Sequence, residues 1–235
     1  MGEETTNTTA ENAELANNTQ KNKLTKFEKW FRFLHRAQRF LALGMLPVKK
    51  YGCTEKFNDR SYIIVANHKS NLDVVLAIMP TDKPVHFMAK KELFEKGIGK
   101  WFTRKCECIP VNRDGTDVRA IMQAMKYLKE GSVVCIFPEG TRNKTTERFL
   151  PFKSGAAALS IKTKTPIIPV VQLKKIELFR KSKVYIGEPF ELTEFYGTKL
   201  TPQDIERADE ILLQKFNEIY QELETLTAKK KTKKQ

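Results

Sequence analysis

The sequence predicts an α/β fold: a central, mostly parallel sheet with helices on both faces, preceded by an N-terminal amphipathic membrane-binding helical region. Two observations predict the sheet. Short apolar runs alternate with segments of helical periodicity. Several of those runs also end in turns rich in charged and small residues, as strands of open α/β sheets do where they present ligand sites. A third observation, a basic segment crowded with aromatics ahead of the first run, predicts the helical region.

Residues 1–20 are Thr-, Asn-, Glu- and Ala-rich with no apolar period, and are expected to be a disordered segment. The four glutamates among them argue against a signal peptide. Residues 21–50 are expected to form a basic amphipathic helical region. Leu24, Phe27, Phe31, Leu34, Leu41 and Met45 recur at helical spacing, Trp30 and Phe33 widen the apolar face, and Pro47 closes it. Lys26, Lys29, Arg32, Arg36 and Arg39 lie between them. Two readings fit this pattern: a helix lying in a bilayer interface with its cations on lipid phosphates, or an amphipathic helix packed on the core.

Residues 51–227 carry the α/β pattern. Tyr62–Ala66, Val85–Ala89, Cys108–Val111, Val133–Phe137, Ile167–Leu173 and Val184–Ile186 read as strands. Asp73–Met79, Lys96–Arg104, Asp117–Glu130 and Ser154–Lys164 read as helices, with Gly131 at a helix C-terminal position. Thr201–Leu226 reads as a last amphipathic helix with Pro202 just inside its start, and a Lys-rich tail, 228–235, follows.

The 235 residues suffice for one sizeable core. A net charge of +14 calls for an anionic partner: nucleic acid, an anionic membrane surface or a phosphorylated substrate. No nucleic-acid motif is present, so no nucleic-acid partner is expected. The four cysteines lack zinc-site spacing and read as reduced thiols of a cytosolic protein; no metal site is expected. No stretch reaches the roughly 18 apolar residues of a spanning helix, which makes the expected chain soluble or monotopic.

Four segments stand out chemically. Asn67-His68-Lys69-Ser70-Asn71-Leu72-Asp73 follows the first predicted strand. Asp73 there either caps a helix opened by Ser70 or reaches back to His68, fixing its tautomer and making the other ring nitrogen a better base. Phe137-Pro138-Glu139-Gly140-Thr141-Arg142 ends another strand in a turn where Gly140 lets the backbone approach a ligand and Arg142 can grip a phosphate; a plain surface turn is the alternative. Val111-Asn112-Arg113 delivers a further cation, and Ile168-Pro169-Val170 lies in a proline-bracketed apolar run.

In this order the four segments resemble the motif set of the glycerolipid acyltransferase family, and within it the bacterial enzymes that acylate 1-acylglycerol-3-phosphate. The heptad is similar to the family's NHxxxxD block, and FPEGTR follows about 70 residues later. The likeness runs from about Tyr62 to Gly187, with Asn112 where many members carry an acid. It implies that His68 is the general base and Asp73 its orienting partner. It also implies that Glu139, Gly140, Thr141 and Arg142, with Arg113, bind the acceptor's glycerol phosphate. No acyl-enzyme and no cofactor are expected, acyl-CoA or acyl carrier protein serving as co-substrate. Lysophosphatidic acid is the expected acceptor, and the expected location is the cytoplasmic face of the cell membrane. A different acceptor, or a non-catalytic tethering protein on the same fold, are the competing readings.

Overall fold

The computed structural model describes residues 25–112, 117–153, 155–197 and 199–232; the expected disordered segment 1–20 lies outside them. In chain order the elements are α1 (Lys26–Gly44), β1 (Val48–Gly52), β2 (Ile63–Ala66), α2 (Asp73–Ala77), β3 (Val85–Lys90), α3 (Gly97–Lys105), β4 (Ile109–Val111), α4 (Val118–Lys129), β5 (Val133–Ile136), α5 (Gly155–Thr163), β6 (Ile167–Gln172), β7 (Ser182–Ile186) and α6 (Pro202–Thr232). The strands form one seven-stranded sheet in the order β1-β7-β6-β2-β5-β3-β4. Among the described strands only β6 and β7 pair antiparallel; every other neighbouring pair is parallel.

Strands β2, β5 and β6 are buried along their whole length, which is why they read as unbroken apolar runs. Alternation along β2 assigns its two faces. Ile64 and Ala66 join a cluster with Phe27 and Phe31 of α1 and Leu76 of α2. Ile63 and Val65 join the opposite one, with Ala120 and Ala124 of α4, Ala156 and Ala157 of α5, and Leu212 and Phe216 of α6. Each fully buried Ile, Leu or Phe contributes about 1.5–3 kcal/mol, so the two clusters dominate the fold's stability. The alanines of α5 bring that helix close beneath the sheet.

Two elements differ from the sequence reading, and a third resolves an alternative it left open. The edge strand β1, Val-Lys-Lys-Tyr-Gly, has no apolar run; its pairing with β7 is set by tertiary context, and its lysines suit a sheet edge. Helix α6 runs to Thr232, into the Lys-rich tail, because lysines are good helix formers and favourable in a last turn. Helix α1 turns Phe27 and Phe31 into the core while Phe33 stays exposed, so part of the aromatic face packs on protein. The four cysteines are unpaired, Cys53 partly exposed and the other three buried.

One buried polar group links α1 to the sheet. His86 of β3 stacks flat on Tyr127 at 3.5 Å between ring centroids and faces Phe27 at 4.7 Å. Its Nδ1 lies 3.0 Å from the Glu107 carbonyl and so carries the hydrogen. Burial pushes its pKa down, against the weaker opposing effects of that hydrogen bond and of the Glu130 carboxylate. The folded protein therefore resists a proton that the unfolded chain accepts near pH 6.5, so the unfolded state binds more protons below about that pH and stability falls as pH drops through it. His86→Phe should keep the stacking and flatten this acid loss, measured as the slope of unfolding free energy against pH in urea titrations; equal slopes would rule the contribution out.

Candidate active site

Strands β2 and β5 lie side by side and parallel, so the turns leaving their carboxyl ends meet. The first turn starts at Asn67, which is buried and tied to the end of β6. Its side-chain amide donates to the Gln172 carbonyl at 3.0 Å, and its Oδ1 accepts the Gln172 N–H at 2.9 Å. The Gln172 side chain donates in turn to the Asn67 carbonyl at 3.4 Å.

Six residues later, Asp73 is the first residue of α2 and is 1% exposed. Ser70 does not cap the helix; its hydroxyl oxygen accepts the Leu72 N–H at 3.2 Å. The Asp73 carboxylate reaches back across the turn instead. Its Oδ2 accepts the N–H groups of Lys69 and Ser70, each at 2.6 Å, and lies 2.9 Å from His68 Nδ1. A carboxylate only accepts, so Nδ1 carries the hydrogen and Nε2 presents its lone pair. Among the described residues Nε2 has no hydrogen-bond partner, and Asp73 Oδ1 is buried without one. Phe137 stacks on the imidazole, centroids 4.3 Å apart.

The second turn grips the backbone of the first. Glu139 is buried; its Oε1 accepts the His68 N–H at 2.7 Å and its Oε2 the Leu150 N–H at 2.9 Å. Burial raises its pKa, while those two hydrogen bonds and the nearby Lys69 and His68 oppose the rise. The His68 carbonyl accepts the Asn143 N–H at 2.7 Å, so both main-chain atoms of His68 are held by residues of the Phe137–Asn143 segment. Gly140 has φ +64°, a left-handed conformation that glycine supplies without strain. A Cβ there would lie 3.1 Å from the Lys153 side chain, which passes over the turn.

Thr141 and Arg142 follow on the exposed side of the turn, and Arg142 has no acidic partner among the described residues. The expected residues thus fall into two groups. His68, Asp73 and Glu139 are drawn together by hydrogen bonds; Gly140, Thr141 and Arg142 form the rim beside them. Arg113 lies outside the described residues. The residue before it, Asn112, is held by Asp117, whose carboxylate accepts the Asn112 N–H at 2.8 Å and the Ala120 N–H at the start of α4 at 3.1 Å. Gln172 and Asn143 were not singled out by the sequence reading; of the two only Gln172, a polar residue at the end of an apolar run, carried a visible signal.

Residues 48–172 match the family model described as acyltransferase. The chain belongs to the acyltransferase family. It is 34% identical over 188 residues to the 1-acyl-sn-glycerol-3-phosphate acyltransferase of Bacillus subtilis, covering 76% of this chain and 91% of that one. To the enzyme of the same name from Streptococcus pneumoniae it is 29% identical over 181 residues, 73% of this chain and 66% of the other. The crystal structure of the 1-acyl-sn-glycerophosphate (LPA) acyltransferase PlsC from Thermotoga maritima superposes with a TM-score of 0.57 at 26% identity, covering 86% of this chain and 80% of that one. The matched fold is the mostly parallel sheet with flanking helices.

Glu139→Gln tests the brace. An amide can accept one of the two backbone N–H groups and must present its NH₂ to the other, leaving a buried donor unmatched at a cost of about 1–3 kcal/mol. The variant should melt correspondingly lower and, where the cost falls on the placement of His68, lose acyl transfer by about fivefold or more, since each 1.4 kcal/mol is a factor of ten; wild-type stability and activity would show that Glu139 holds nothing.

Proposed function

We propose that this acyltransferase moves a fatty acyl group from the thioester of acyl-CoA or acyl carrier protein to the sn-2 hydroxyl of 1-acylglycerol-3-phosphate, giving phosphatidic acid for phospholipid synthesis. The observation that carries the reading is the His68–Asp73 pair beside the Glu139–Arg142 turn. The names of the Bacillus subtilis and Thermotoga maritima relatives support the choice of acceptor.

In the proposed step His68 Nε2 takes the proton from the acceptor hydroxyl as its oxygen attacks the thioester carbonyl. The C–O bond forms and the C–S bond breaks. The imidazolium returns the proton to the departing thiolate, so atoms and charge balance without an acyl-enzyme. Asp73 holds Nδ1–H and stabilises the transient imidazolium. Gly140, Thr141 and Arg142, with Arg113, receive the glycerol phosphate, a guanidinium fork being suited to a phosphate. Glu139, with both oxygens on backbone N–H groups, serves that site by fixing the His68 main chain. The thioester is already activated, so no further cofactor enters the step.

Lipid substrate and product reside in a bilayer, and no helix among the described residues is long and apolar enough to cross one. We place the enzyme peripherally on the anionic cytoplasmic membrane face, with the basic region 21–50 as one contact. Each cation near such a surface contributes about 1 kcal/mol.

Labelled acyl-CoA and acyl carrier protein, offered with lysophosphatidic acid, glycerol-3-phosphate and lysophosphatidylethanolamine, test the proposal. Product should form with lysophosphatidic acid alone. His68→Ala should lower kcat by about a hundredfold to ten-thousandfold with vesicle binding intact. Arg142→Ala should raise the acceptor KM about tenfold or more, the value of a charge-assisted hydrogen bond. Product with another acceptor would change the substrate, and product with none would leave a tethering protein.

A further inference from the structure

Helix α3 and the turn before it present apolar side chains to solvent that the proposed chemistry does not use. Ile98 is 85% exposed and Trp101 51%, and Leu93 in the preceding turn is exposed as well. Ile98 and Trp101 are three residues apart in the helix and so share a face. Trp101 meets Trp30 of α1 edge-on at 5.4 Å, and Trp30 stacks on the exposed Phe33 at 5.3 Å. An aromatic strip therefore runs unbroken from α3 onto α1.

Cations accompany it. A groove of about 310 Å³ beside Trp101 is lined by Gly97, Lys100, Arg104 and Lys105. None of these three cations has an acidic partner among the described residues, and Lys105 lies 5.9 Å from the Trp30 ring centroid.

The place of this surface in the sheet matters. Strands β2, β5 and β3 are adjacent and parallel, so their carboxyl ends share one edge. His68 leaves that edge from β2. The Lys91–Phe94 turn and the start of α3 leave it from β3, about 10 Å away across β5. Leu93 and Ile98 thus stand at the same edge as His68.

We propose that α3 and its preceding turn are a second membrane-contact surface, which seats the carboxyl edge of the sheet on an anionic phospholipid bilayer. Ile98, Leu93 and Trp101 enter the headgroup–acyl boundary, where apolar and indole side chains are favoured. Lys100, Arg104 and Lys105 meet lipid phosphates in the flanking groove. A bilayer fits better than an acidic protein partner because the most exposed side chain, Ile98, is aliphatic and projects outward rather than lining a pocket, and because the strip continues onto a basic amphipathic helix. Two contacts on separate elements fix orientation as well as attachment, holding the His68 edge at the depth of the acceptor's hydroxyl.

This inference builds on the proposed lipid acceptor, and the two are separable by experiment. The full chain, Ile98→Ser/Trp101→Ser and Lys100→Ala/Arg104→Ala would be sedimented with phosphatidylcholine vesicles with and without phosphatidylglycerol. Each would also be assayed on a short-chain lysophosphatidic acid dissolved as monomers. The Ser pair should lower the vesicle-bound fraction about fivefold or more, as removal of interfacial apolar anchors does, while transfer to the monomeric acceptor is unchanged. The Ala pair should weaken binding only where phosphatidylglycerol is present. In a Trp30→Phe background, Trp101 emission should shift to the blue on vesicle addition and be quenched by bromine-labelled acyl chains. Unchanged vesicle binding by both pairs, or an unquenched Trp101, would overturn the proposal. So would intact vesicle binding with lost binding of acyl carrier protein, which would make α3 a protein-docking surface. Absence of transfer to the monomeric acceptor by the unmodified chain would count against the acceptor alone.

Discussion

One carboxylate oxygen, Oδ2 of Asp73, organises the site. It receives two backbone N–H groups of the Lys69–Ser70 turn and faces the His68 ring nitrogen within 2.9 Å. The same bonds that close the turn therefore decide which nitrogen of His68 carries the hydrogen. Burial makes the arrangement demanding, because a carboxylate out of water must have its charge met locally, and three donors on one oxygen meet it. Turn geometry and the orientation of the His68 ring are thus set by one oxygen.

The rest of the molecule supplies a frame for that contact. Asn67 and Gln172 exchange hydrogen bonds across β2 and β6, fixing where the turn begins. Glu139 and Asn143 hold the main chain of His68 from the neighbouring strand β5. Parallel pairing puts all these strand ends at one edge, and the two buried clusters keep the strands in register. Placing α3 on β3 brings its exposed isoleucine to the same edge.

Much of this was legible in the sequence, for identifiable reasons. Strands β2, β5 and β6 are buried on both faces, so their runs are apolar throughout; β1 lies at the edge and its lysines conceal it. The His68–Asp73 spacing fits both a helix cap and a catalytic pair, and only the path of the turn shows the carboxylate doing a capping-like task and facing the ring together. Glu139 was expected on the substrate, yet its partner is the N–H of a residue 71 positions earlier in the chain, a contact no local pattern encodes. The Asn67–Gln172 tie spans 105 positions and is hidden in the same way. In α1 the aromatic pattern could face protein or lipid. Phe27 and Phe31 face protein and Phe33 faces outward, a division set by tertiary packing rather than by the helical period.

The proposed step depends on the Asp73 charge acting on His68, and Asp73→Asn removes that charge while keeping the size of the side chain. The amide oxygen can keep all three donors, while its NH₂, buried where Oδ1 has no partner, costs stability that is read separately as a lower melting temperature. With fold and vesicle binding checked, the measurement is kcat for acyl transfer to lysophosphatidic acid. A fall of about a hundredfold or more, in the range of general-base contributions, with KM little changed, is what the account predicts. A kcat within about threefold of the unmodified chain, well below that range, would contradict it and leave Asp73 a purely structural residue of the turn.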